Sequence, residues 1–160
     1  RNTMKRIKAV HATQENFARF GKIEKLTDNT RFSGEGWNCW MTQDVCMDQP
    51  AHFGVTYVKT YPPYEVSSME RHTKTKELMV CGEKPIVVAL ADSDPWGRAK
   101  VEDICAFTLE PGEILVIHPG IWHDACRGLK EETHYYFLSL ETDEPAVFQP
   151  IDGGAVEITL

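Results

Sequence analysis

Glu70-Arg71-His72, followed by Glu77 and then, 46 residues further on, by His123, brings together the residue types best suited to chemistry in this chain. On an extended strand, residues two apart face the same way. Glu70 and His72 can therefore present a carboxylate oxygen and an imidazole nitrogen side by side while Arg71 points away. Glu77 joins them only if the chain turns back. Residues 73–76 are polar enough to do so, and residues 78–80 read as a returning strand that carries Glu77 at its start. That places three donors on one hairpin. His123 comes at the end of residues 112–123, where a strand runs into Pro119-Gly120 and delivers a histidine onto the next element. The spacing suggests a divalent metal on Glu70, His72, Glu77 and His123. Such a mixed N/O set suits Zn, Mn, Fe, Co or Ni rather than a soft ion, and a six-coordinate ion would keep two positions open for a chelating substrate. The bland alternative is a solvated hairpin with Arg71, Lys74 and Lys76 interleaved. His123 in its Pro-Gly setting tips the balance towards metal binding or a direct catalytic role.

Positioning these side chains calls for β structure. Residues 4–10 read as a strand, and Thr13 as the N-cap of a brief helix through Phe17 and Phe20, stopped by Gly21. Further strands are expected at 37–46, 52–61, 65–72, 77–81, 85–91, 104–109, 113–118 and 134–141. Between them lie turn clusters such as Pro62-Pro63, Glu110-Pro111-Gly112 and Pro119-Gly120. Residues 142–160 are expected to wrap the surface as loop plus a last strand. No linker, repeat or low-complexity segment interrupts the chain, so residues 1–160 are expected to form one domain. Met4 is a candidate true start, which would make Arg1, Asn2 and Thr3 a cloning remnant.

The 160 residues are 42% hydrophobic and 26% charged, with a net charge of −7 and no run of Lys or Arg. Nucleic acid is therefore a poor partner. No apolar run approaches the ~20 residues of a membrane span, and no positively charged segment leads into an apolar stretch at the N-terminus. Cys39, Cys46, Cys81, Cys105 and Cys126 are odd in number and never form a CxxC pair, which fits small buried hydrophobes in a reducing, cytoplasmic setting.

The two segments carrying Glu70, His72, Glu77 and His123 resemble the paired cupin motifs, one of the form HxH with a later Glu, the other Gly, strand, Pro-Gly, two residues and His. Four features depart from that pattern. Glu70 stands where the first histidine is usual, one extra residue precedes Pro119, no residue separates Pro119 from Gly120, and Arg127 replaces the customary Asn. Nearly the whole chain is also similar to the ureidoglycolate lyase family, itself cupin-like. That resemblance rests on the opening strand and helix ending in Phe20-Gly21, on Glu70-Arg71-His72, on Val87-Val88-Ala89-Leu90, and on His118 through Trp122-His123. Glu77 stands where Gln is expected in that family.

The resemblance implies an all-β, cupin-like (RmlC-like) barrel or jelly roll with one short N-terminal helix, a ligand at the barrel mouth and a homodimer. It also implies cleavage of (S)-ureidoglycolate to glyoxylate and urea, an elimination that needs a base at the hydroxyl and an acid at the departing nitrogen. Glu70 or Glu77 would be the base, and His123 or His118 the proton donor. Lys59, which alternates with Tyr57 and Tyr61 on one strand face, is the preferred partner for the substrate carboxylate, with Tyr57 beside it. His134 would reach the cavity and Trp122 would wall it, whereas His11 and His52 read as surface residues. Two rivals remain: a metal-dependent isomerase or oxygenase acting on a sugar or small acid, and a non-enzymatic small-molecule-binding cupin.

Overall fold

Ile86–Ala91 (IVVALA) is the strand about which the fold is organised, and it is buried on both faces. Ile86, Val88 and Leu90 enter one apolar cluster, while Val87, Ala89 and Ala91 enter another. A strand covered on both sides has no reason to alternate polar with apolar residues, which explains the unbroken run.

The computed structural model describes residues 4–29, 31–42, 45 and 48–160. In chain order the elements begin with β1 (Lys5–Lys8), β2 (Val10–His11), α1 (Gln14–Phe17) and β3 (Gly21–Lys25). Next come β4 (Arg31–Gly34), β5 (Trp37–Trp40), β6 (Ala51–Val58), β7 (Tyr64–Val66) and β8 (Ser68–Met69). The central strands are β9 (Glu77–Cys81), β10 (Ile86–Ala91), β11 (Cys105–Leu109), β12 (Glu113–Ile117) and β13 (Trp122–His123). Last are β14 (Arg127–Gly128), β15 (Thr133–Leu140), β16 (Gln149–Pro150) and β17 (Val156–Thr159). The nearly all-β architecture predicted from the sequence is what the chain adopts.

One sheet has the order β3-β12-β9-β15-β6, and a second has the order β13-β10-β11-β2 with β14 beside β10. Between them lies the first core, to which the two sheets contribute Leu115, Ile117, Met79 and Tyr135 on one side and Val88, Leu90 and Phe107 on the other. Helix α1 supplies aromatic volume to this core. Thr13 caps it in a reciprocal box with Asn16, and Phe17 and Phe20 pack on Phe107 at ring separations of 5.2 and 5.5 Å. The helix ends at Phe17, and Phe20 is carried by the turn that follows. Gly21 then opens β3 hard against β12, where a Cβ would run into the Val116 carbonyl. The third sheet, β1-β17-β7, closes the second core with Ile7, Val156, Ile158 and Val66.

Two expectations change. Residues 65–72 do not form a hairpin with 77–81: β7 pairs with β17, β8 with β16, and β9 lies between β12 and β15. The polar residues 73–76 instead carry the chain from one sheet to the other, so Glu70 and Glu77 approach from opposite sides of the interior. The strand expected at 37–46 is described only as β5, and Cys46 lies outside the described residues, as do Arg1, Asn2 and Thr3.

Candidate active site

Glu70 and His123 are joined through their backbones. Glu70 N–H donates to the His123 carbonyl at 3.0 Å, and His123 N–H donates to the Glu70 carbonyl at 2.8 Å. The Gly120 amide, freed by its turn at φ +85°, donates to the His72 carbonyl at 2.8 Å. The Pro-Gly segment therefore clamps the Glu70–His72 segment directly, which is why two pieces of sequence so far apart build one site.

The side chains converge. One donor atom from each of Glu70, His72 and His123 lies within 4.8 Å of the others. Glu77 reaches in from β9 and divides its oxygens, with Oε1 3.7 Å from His72 Nε2 and Oε2 3.4 Å from His123 Nε2. His72 Nε2 is 3.9 Å from Glu70 Oε1. His123 is 2% exposed, and neither of its ring nitrogens has a hydrogen-bond partner. An imidazole buried without partners loses its hydration for no return, so these orphaned nitrogens fit a site built to receive a cation or a ligand. The spacings of 3.4–3.9 Å are too long for good hydrogen bonds and leave room for an ion between the donors. The residues present fit a divalent metal.

Burial dominates the electrostatics. It raises the Glu77 carboxyl to about 7, helped by the nearby Glu70, and holds the His123 imidazole down at about 3, with His72 adding to the effect. Glu70 is also raised, by burial first, with His72 opposing and Asp124 reinforcing the shift. The cluster opens on a cavity of about 180 Å³ lined by Thr56, Glu70, Glu77, Met79, His123 and Tyr135, with Ala125 and Phe137 completing the wall. No lysine or arginine is among these lining residues. A larger hollow of about 380 Å³ lies near Lys74, Lys76, Leu78 and Leu138, but no histidine lines it.

The other expected site residues stand elsewhere. Tyr57, Lys59 and His134 do not join the cavity. On β6 and β15 the inward positions are Thr56, Val58, Tyr135 and Phe137, so Tyr57 and His134 point outward and pack on each other at 4.7 Å. Lys59 shares their parity just past the end of β6 and is exposed. Trp122 is buried in the second core, where Arg71 lies over its ring at 4.9 Å. As the strand neighbour of His123 it must face the other way. His118 follows inward-facing Ile117 and is exposed, its amide bonded to the Phe20 carbonyl. Lys59, Tyr57, His134 and Trp122, expected to bind substrate, and His118, expected as a proton donor, therefore do not line this cavity.

A family model described as Ureidoglycolate lyase matches residues 4–149. The chain belongs to the ureidoglycolate lyase family. No curated protein matches it. Among solved structures it is similar to the dTDP-6-deoxy-D-glucose-3,5-epimerase RmlC from Legionella pneumophila Philadelphia 1, solved with dTDP-4-keto-L-rhamnose. That match has a TM-score of 0.51 and 10% identity, over 86% of this chain and 71% of that one. Two looser matches are a dTDP sugar isomerase from Desulfovibrio desulfuricans G20 (TM-score 0.46, 17% identity, 84% of each chain) and RmlC from Streptococcus suis (TM-score 0.44, 7% identity, 59% of this chain). This chain spans 46% of the Streptococcus suis protein. The Legionella match supports the cupin jelly roll and, at its identity, the fold alone.

Against the cupin pattern, Arg127 has a local explanation. Its Nη2 pairs with buried Asp124 at 2.9 Å, Nη1 donates to Thr60 Oγ1 at 3.0 Å, and the guanidinium lies over Tyr64 at 5.1 Å. Asp124, which helps to raise Glu70, was missed in the sequence; its place directly after His123 was the available signal. A second missed contact is Glu144. Its carboxylate accepts from Thr73 N at 2.7 Å and from Thr73 Oγ1 at 2.5 Å, tying down the turn between His72 and Glu77.

Proposed function

We propose that this chain is a lyase that cleaves a small ureido 2-hydroxy acid, (S)-ureidoglycolate, to glyoxylate and urea, with a divalent metal held by Glu70, His72 and His123. The observation that carries this reading is the convergence of those donors and Glu77 around the orphaned nitrogens of His123, on a cavity of about 180 Å³. That volume is below the ~300 Å³ at which pockets for drug-sized ligands begin, which favours a small acid over a nucleotide sugar. Two carboxylates and no cationic side chain line the cavity, so an anionic substrate needs a bound cation to enter it.

A bound divalent ion would act as a Lewis acid and template, lowering the pKa of the substrate hydroxyl. The chain's own residues move the protons. Glu77, with a carboxyl near 7 in the metal-free protein, is suited to take the hydroxyl proton as the carbonyl forms. The carbon–nitrogen bond breaks with its electron pair going to nitrogen, and the proton taken up by Glu77 passes to that nitrogen to give urea. No water is consumed. Thr56 and Tyr135 also line the cavity and would orient the ureido group.

The test combines metal content of protein purified without chelator with coupled assays for glyoxylate and urea. Metal bound one to one and equimolar products are expected. His72→Ala and His123→Ala should lose both metal and turnover, whereas Glu77→Gln should keep the metal and lose turnover by roughly 10²–10⁴-fold. Full metal with no glyoxylate would overturn the substrate, and turnover without metal would overturn the metal's role.

A further inference from the structure

Arg71 lies behind the donor cluster. Glu70 and His72 face the cluster, and alternation along the segment turns Arg71 the other way, onto the buried ring of Trp122, with its guanidinium 4.9 Å from the ring centroid. Trp122 is the chain neighbour of His123, whose backbone is bridged to Glu70. Arg71 and Trp122 are therefore the reverse side of the two segments whose front carries Glu70, His72 and His123.

The guanidinium also reaches the Pro-Gly turn. Arg71 Nη1 donates to Ser93 Oγ at 2.9 Å, and Ser93 Oγ donates to the Gly120 carbonyl at 2.6 Å. The Gly120 amide in turn donates to the carbonyl of His72, the residue after Arg71, at 2.8 Å. These three bonds and the Arg71-His72 peptide close a ring that grips Gly120 by both its amide and its carbonyl. A hydroxyl can accept and donate at once, so Ser93 suits the middle place, and the charge on Arg71 strengthens the bond that Ser93 passes on. Ser93 is itself fixed just after β10, where its N–H donates to Asp92 Oδ1 at 2.8 Å. The turn at Gly97, with φ +79°, lies against the guanidinium: a Cβ there would stand 3.0 Å from Arg71 Nη2. The Asp94 carboxylate that shapes this turn is taken up by Trp96 N, Arg98 N and Arg98 Nε.

We infer that Arg71 and Ser93 are positioning residues that hold the Gly120 turn, and with it His123, in register with Glu70 and His72. The inference rests on the reading of those three residues as a metal site. Neither Arg71 nor Ser93 lines the cavity, so they act on the donors from behind and not on a substrate. Partners that orient metal-binding side chains in this way contribute roughly ten- to a hundredfold in metal affinity.

Titration of the metal-free full chain with Co²⁺, followed by visible absorption, reads the effect without any turnover. Ser93→Ala deletes one hydroxyl, and Arg71→Met keeps an unbranched stem over Trp122. Each should weaken Co²⁺ binding by roughly tenfold to a hundredfold. Ser93→Thr, which restores the hydroxyl, should bind like wild type. Because both residues act through one ring, the double variant should be little weaker than either single one. If Arg71→Met fails to fold, Ser93→Ala decides. Unchanged Co²⁺ affinity in Ser93→Ala, with or without a lower thermal midpoint, would overturn the inference and leave the ring a packing feature. A wild-type chain that takes up no Co²⁺ would count against the metal reading and not against the ring, which amide exchange then decides. In metal-free protein the Gly120 N–H should exchange roughly tenfold faster in Ser93→Ala than in wild type, and equal rates would overturn the inference.

Discussion

His123 Nε2 stands 3.4 Å from Glu77 Oε2, across the gap between two sheets, in surroundings that disfavour charge on either group. Burial pushes the Glu77 carboxyl up to about 7 and the His123 imidazole down to about 3, so the charged form of each group weakens the fold when no cation lies between them.

Glu77 gives the first pH dependence. Its folded-state carboxyl lies near 7, above the ordinary 4.5, so its contribution to stability is fully present below pH 4.5 and is lost as pH rises through 7. In chelator-treated protein the loss amounts to about 3 kcal/mol. Urea unfolding of metal-free Glu77→Gln should show it more stable than wild type by up to that amount at pH 8 and equal to it at pH 4. Equal stabilities at both would show that Glu77 is not strained.

His123 gives the opposite arm. Its folded-state imidazole is depressed to about 3 from 6.5, so its contribution is complete above pH 6.5 and disappears as pH falls towards 3. Metal-free His123→Gln should therefore lose less stability than wild type between pH 6.5 and 3. The same urea series at stepped pH measures it, and parallel losses in the two proteins would count against the assignment.

Which of these residues could be read from sequence has a physical explanation. The convergence of Glu70, His72, Glu77 and His123 was legible because carboxylates and imidazoles gathered at this spacing point to one site and the Pro-Gly turn fixes where a histidine can follow. Tyr57, Lys59 and His134 were misplaced because a period of two shows that residues share a face but not which face is inside. Here the usual cue is inverted: the cavity takes small and polar inward residues such as Gly54 and Thr56, while Phe53, Val55 and Tyr57 face outward. The strands β9, β10, β11, β12 and β15 were found within a residue or two, since continuous apolar runs survive burial on both faces. β3 (GKIEK) has one strong apolar residue and was missed; its place is set by pairing with β12 rather than by its own pattern. The crossing at residues 73–76 was missed because the same polar stretch can turn back or cross over.

That crossing is held by Glu144 on Thr73 and by Lys74 on Asp143 at 2.6 Å. Both contacts are exposed, so they add little to global stability. They fix the turn whose two ends carry His72 and Glu77, and misplacement of reacting groups by about 1 Å costs up to roughly a hundredfold in rate. Glu144→Ala should leave the thermal midpoint nearly unchanged while kcat/KM falls between roughly tenfold and a hundredfold. A drop in midpoint with unchanged kcat/KM would make the contact purely structural.

The core gives the last prediction. Phe107 is buried on β11 and receives both Phe17 and Phe20 edge-on, so it is the only one of the three that belongs to a sheet. Truncation to Ala removes the platform on which α1 and its following turn pack, and a cavity of that kind costs about 3–5 kcal/mol. Thr13→Ala removes only the helix cap and should cost about 1 kcal/mol. Chemical denaturation of the two variants should separate them by that difference. Because Phe20 also precedes the β3 strand that flanks β12, Phe107→Ala should loosen the Pro119-Gly120 end of β12 as well. Amide exchange at His118, whose N–H donates to the Phe20 carbonyl, should then rise in Phe107→Ala and stay at the wild-type rate in Thr13→Ala.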